Sequence, residues 1–126
     1  MMCWNISVYR QDNDGASPAT SESQHSSRIA IWQTKFYSDI NWLKDLAKEG
    51  KAIDLGGDGY PNRFTATAEH IVPRIIPEPP GARAVWGLDE GDCVTEEWEG
   101  RTVVDAALAR QCRFDEWLLI VVWDES

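Results

Sequence analysis

The run Trp117-Leu118-Leu119-Ile120-Val121-Val122-Trp123 holds seven apolar residues and no charge, glycine or proline, and how it folds decides the architecture. Asp115-Glu116 before it and Asp124-Glu125-Ser126 after it bound it with charge. Seven residues is strand length, and the β-branched and aromatic side chains that make up most of the run are poor helix formers. A strand with one face in water alternates apolar with polar, whereas an unbroken apolar run suits a strand covered on both faces. The expectation is a central strand over 117–123. A buried helix is the rival, and the run is too short for one.

Working outward, residues 3–10 alternate, with Trp4, Ile6 and Val8 on one face and Asn5, Ser7 and Tyr9 on the other, as in a half-buried strand. Residues 11–27 contain no large apolar side chain and are expected to form a mobile loop. Ile29-Ala30-Ile31-Trp32 suits either a strand pairing back on the first or the start of a helix. The clearest helix covers 38–49. Ser38 is placed to cap it, Asp39 suits its positive end, Ile40, Leu43, Leu46 and Ala47 recur at helical spacing, and Gly50 is placed to stop it. Trp42 lies toward the edge of the apolar stripe and widens it. Residues 52–55 read as a strand end, and Phe64, Ala66 and Ala68, alternating with Thr65 and Thr67, read as a short strand. One or two helical turns over 70–76 should end at Pro77, Pro79 and Pro80, which with Gly81 make a stiff connector. Strands are expected at 83–86 and 93–98, with a turn at 87–92 between them. Thr102-Val103-Val104-Asp105 resembles a capping box opening a helix that carries Val104, Ala107, Leu108 and Cys112 to about Arg113. The fold class that follows is α+β: a single domain over 1–126, with a mixed or antiparallel sheet of roughly four to six strands, two main helices and 117–123 central.

A chain of 126 residues can bury a core without disulfides. Cys3, Cys93 and Cys112 are odd in number and widely spaced, which suits reduced thiols in a cytoplasmic protein. The N-terminus lacks a basic region followed by an apolar core, so no secretion signal is expected, and no apolar run reaches membrane-span length. The net charge is −9. Residues 1–63 carry seven Lys/Arg against eight Asp/Glu, and residues 64–126 carry five against thirteen. The acidity belongs to the second half, which argues against unassisted binding to nucleic acid or an anionic membrane and for a basic partner.

No familiar catalytic pattern is present. Gly56-Gly57-Asp58-Gly59 invites a phosphate cradle, but a dinucleotide fingerprint would need Gly or Ala at Asn62, and no Gly-Lys-Ser/Thr follows. As a calcium loop starting at Asp54 it would need a Glu at Thr65. A structural turn fits better. His25 and His70 are the only histidines, and Cys93 or Cys112 beside His70 is the one nucleophilic pairing left open. The expectation is a protein that is not an enzyme, with no catalytic, cofactor or metal residues. The strongest anomaly lies at 89–99. Asp89, Glu90, Asp92, Glu96, Glu97 and Glu99 occur there without one Lys or Arg, between Trp86 and Trp98. Charge runs usually only solvate a surface. The functional alternative is a partner-binding strip in which the carboxylates steer a basic protein and Trp98 anchors it. Most of the seven tryptophans must be core in a domain with only three Phe and three Tyr, but one or two exposed ones would mark an interface.

In size, charge and lack of catalytic motifs, the chain resembles the small acidic immunity proteins of bacterial toxin and contact-dependent growth inhibition systems. The resemblance implies a cytoplasmic protein that neutralises a cognate basic toxin, such as a nuclease. Two other functions compete with it: an inhibitor whose acidic strip mimics nucleic acid, and a small enzyme using Asp54 and Asp58 beside the glycine turn.

Overall fold

The apolar run over 117–123 lies in the third strand across a six-stranded antiparallel sheet. The computed structural model describes residues 4–11, 15–20, 22–23, 25–34, 37–57, 61–76, 79–80 and 102–124. Its strands are β1 (Trp4–Gln11), β2 (His25–Gln33), β3 (Ala52–Gly56), β4 (Asn62–Thr67), β5 (Val103–Val104) and β6 (Trp117–Asp124). Their order across the sheet is β3-β4-β6-β1-β2-β5. β6 pairs with β4 on one side and β1 on the other, with Phe64 opposite Ile120 and Val8 opposite Ile120 at its midpoint. The arrangement is α+β, with three helices, α1 (Asn41–Lys48), α2 (Ala68–Ile75) and α3 (Ala106–Arg110), the last a little over one turn.

Alternation along β6 sends its side chains to two cores. Leu118, Ile120 and Val122 join Trp4, Ile6 and Val8 of β1 in the main core, which Leu43 and Leu46 of α1, Ile71 and Ile75 of α2 and Ala109 of α3 cover. Leu119 and Val121 face the other way and pack with Ala19, Tyr9 and Leu55. From Leu118 to Val122 the strand is therefore buried on both faces, while Trp117 is half-buried and Trp123 exposed at its ends. The apolar face expected for β1 holds, with Trp4, Ile6 and Val8 in the main core, but the strand is not half-buried, because Asn5 and Ser7 on its other face are buried too. Trp42 is half-buried, and its ring stacks on that of Trp32 with centroids 6.4 Å apart.

Local signals located the helices but misplaced several of their ends. Residues 37–40 form a 3-10 turn, α1 begins only at Asn41, and no side chain caps it; Ser38 is exposed and outside the α-helix. Its end is as expected. Gly50 takes φ +78°, the Lys51 amide donates to the Leu46 carbonyl (2.8 Å) and the Gly50 amide to that of Ala47 (3.1 Å), the paired bonds of a Schellman stop. α2 starts earlier than the prolines suggested, at Ala68, directly from β4. Two backbone groups of the segment before β6 satisfy its first amides: Ala68 donates to the Glu116 carbonyl (2.8 Å) and Glu69 to that of Phe114 (3.0 Å). Pro73 sits inside this helix. At the third helix the capping box is displaced by three residues. Val103 and Val104 extend the sheet beside β2, and Asp105 caps α3 by accepting from the Leu108 amide (2.9 Å). β-Branched residues on a sheet edge have taken the place of the first helical turn.

The stretch expected to be a loop over 11–27 is shorter at both ends, because Gln11 belongs to β1 and His25 to β2, which pair with each other through register shifts on either side of Tyr9. Between them, residues 15–20 lie on the second face of the sheet. The Gln11 side chain donates to the Ser17 and Trp117 carbonyls (2.9 and 3.1 Å), and the Ala19 amide donates to Thr65 Oγ1 (3.0 Å), which itself donates to the Leu118 carbonyl (2.8 Å). Gly15 accepts from the Trp117 amide through its carbonyl (2.8 Å) with φ +74°, and an added Cβ would collide with the Glu116 side chain. Small residues reach the sheet here because hydrogen bonds, rather than apolar area, hold them.

Candidate functional site

The partner-binding strip expected at Asp89, Glu90, Asp92, Glu96, Glu97, Trp98 and Glu99 lies outside the described residues, as do Cys3, Cys93, Asp58 and the strands expected at 83–86 and 93–98. The other candidates are in view. Asp54 is committed to the β3–β4 turn. Its Oδ1 accepts from the Gly56 amide (2.8 Å) and from Asn62 Nδ2 (3.1 Å), while Gly56 and Gly57 take φ +89° and +127°. A side chain at Gly57 would run into the Pro61 carbonyl, so the glycine serves a tight turn.

Cys112 is half-buried beyond the end of α3, and its thiol lies 3.7 Å from the Leu108 carbonyl as donor. Burial pushes its pKa up and the Glu116 carboxylate adds to this, against a smaller opposing pull from Arg10 and Arg113. A raised pKa leaves less of the thiolate, the attacking form, and argues against a Cys112–His70 pair.

Glu116 is the residue that sequence reasoning misplaced. It is half of the charged pair that bounds the strand, yet its side chain is 1% exposed. Both its oxygens accept from Arg10, at 2.8 Å from Nε and 3.0 Å from Nη2, and Oε1 lies 3.4 Å from the Arg113 amide. The bond to Glu116 raises the Arg10 pKa further. Asp115 next to it stays exposed and meets only the Arg113 guanidinium at the surface. No pattern in the sequence separates these neighbours, because their difference arises from Gly15 and Arg10 arriving from a hundred residues away.

A groove of about 520 Å³ opens between α2 and the α3–β6 segment. Ala68, Val72 and Pro73 form one wall and Ala109 and Cys112 the other, with Glu69 and Arg110 facing it from opposite helices. Phe114 stands at its edge with 82% of its surface exposed. A lone phenylalanine between Arg113 and Asp115 was the one sequence signal of this feature. Among the described residues no group of three or more His, Cys, Asp or Glu side chains is placed to hold a metal ion. Nor is any helix among them long and apolar enough to cross a membrane.

Compared with family models, curated proteins and solved structures, the chain gives no match.

Proposed function

We propose that the protein is a cytoplasmic, non-enzymatic binding module of the immunity type, which neutralises a basic cognate toxin, a nuclease being the class that best fits its charge. The observation that carries this reading is the strip from Asp89 to Glu99, with six carboxylates, no compensating cation and Trp98 among them, in a chain of net charge −9. A nuclease must present cationic surface to hold phosphates, and a complementary acidic surface steers such a protein into place and blocks it. The engagement of Asp54 in its own turn weakens the competing enzyme reading. Mimicry of nucleic acid on some other binding protein uses the same charges and is separated by the partner's identity.

Capture from the source cell, with the partner identified by mass spectrometry, tests this. The product of an adjacent toxin gene is the expected prey, and recovery of an unrelated DNA- or RNA-binding protein would favour mimicry. With the partner purified, replacing Glu96, Glu97 and Glu99 by glutamine should slow association and flatten its salt dependence. Trp98→Ala should instead speed dissociation and cost about 2 kcal/mol of binding. Unchanged rates in the triple variant would reduce the strip to a solvated surface.

A further inference from the structure

We propose that the groove between α2 and the α3–β6 segment is the contact of a two-fold homodimer, in which Phe114 of each copy fills the groove of the other. Three features of one small patch point to a second copy of this chain. The first is the anchor: Phe114 is 82% exposed, yet its backbone is fixed, its carbonyl accepting from Glu69 at 3.0 Å and its neighbour Glu116 from Ala68 at 2.8 Å. An aromatic side chain on a preordered backbone loses little entropy on burial. The second is the socket, whose walls of Ala68, Val72, Pro73, Ala109 and Cys112 are short or flat and enclose about 520 Å³.

The third is the charge pattern, which selects the occupant. Glu69 stands on one wall and Arg110 on the other. In a two-fold contact, whatever residue i meets as j, j meets as i. With α2 of one copy set against α3 of the other, Glu69 of each copy meets Arg110 of its mate, and the contact makes two equivalent ion pairs. A basic peptide would satisfy Glu69 and oppose Arg110, and an acidic one would do the reverse. The patch thus carries its own anchor, socket and counter-charges. This inference does not depend on the immunity reading, and a toxin bound elsewhere would leave it intact.

Sedimentation velocity over a protein concentration series, in about 0.15 M salt so that repulsion between two acidic chains is screened, tests it on the purified chain alone. The mass should rise to twice that of the chain. Phe114→Ser should leave a monomer at every concentration, with an unchanged melting transition because the side chain lies in solvent in the single copy. Arg110→Glu and Glu69→Arg should each weaken the dimer by at least about tenfold, and the double exchange should restore most of the loss. A wild-type chain that stays monomeric throughout, a dimer indifferent to Phe114→Ser, or charge exchanges that add instead of compensating would each overturn the proposal.

Discussion

The two faces of β6 are buried by opposite means. On one, Leu118, Ile120 and Val122 meet the apolar sides of three helices, and the burial of hydrocarbon holds the layers together. On the other, Leu119 and Val121 meet Tyr9 and Leu55 and a short stretch of glycine, alanine, serine, proline and threonine, whose largest contribution to the core is the methyl group of Ala19. That cover stays in place through hydrogen bonds with Gln11, Thr65 and the β6 backbone, and through the fit of Gly15 over the Arg10–Glu116 pair. A sheet can therefore hide a second apolar face without a second layer of secondary structure. The cost is a dependence on a few polar contacts that must all be made.

Substitutions at adjacent positions of β6 should separate the two kinds of cover most sharply. Ile120→Ala opens a cavity beneath packed helices and should cost about 4 kcal/mol. Val121→Ala, one residue on, removes contacts with a thin polar segment and should cost about 1.5 kcal/mol. Urea denaturation measures both, and equal losses would erase the distinction between the faces.

Next in size is the polar lock. Glu116→Ala leaves the Arg10 guanidinium beside a dry site without its carboxylate, and the loss should be about 3 kcal/mol by the same measurement. A loss below about 1 kcal/mol would place the pair with ordinary surface bridges. Smaller again is Thr65→Val, nearly the same shape, which deprives the Ala19 amide of its acceptor and the Leu118 carbonyl of a donor. About 2 kcal/mol is expected, with the damage confined to the second face, so that hydrogen exchange of residues 15–20 quickens while that of α1 and α2 does not.

The same contrast explains what the sequence disclosed. Periodicity and composition report apolar burial, so β6, the alternating β1, the stripe of α1 and the Gly50 stop were all legible, and with them the α+β class. Hydrogen-bonded burial leaves no such trace. Nothing in Gly15 to Thr20 distinguishes a segment seated on a sheet from one in solvent, and nothing in Asp115-Glu116 tells which carboxylate is buried. Helix starts were misplaced for a related reason. The amides at the start of α2 are satisfied by the distant backbone of Phe114 and Glu116, and the Val103-Val104 pair before α3 was drawn into the sheet by β2. Of the candidate sites, Asp54 proved to be a turn residue and Cys112 a protonated, half-buried thiol, while the groove beside Phe114 assembles only when α2 and α3 meet.

Native-state hydrogen exchange at the Ala19 amide tests the central claim most directly, because this one group joins the polar segment to the sheet through Thr65 Oγ1 at 3.0 Å. If hydrogen-bonded cover closes the second face, that amide should exchange far more slowly than an unstructured one and lose its protection in Thr65→Val. Exchange at the free-peptide rate in the wild-type chain would contradict the account, leaving only Tyr9 and Leu55 to cover Leu119 and Val121 among the residues that pack on them.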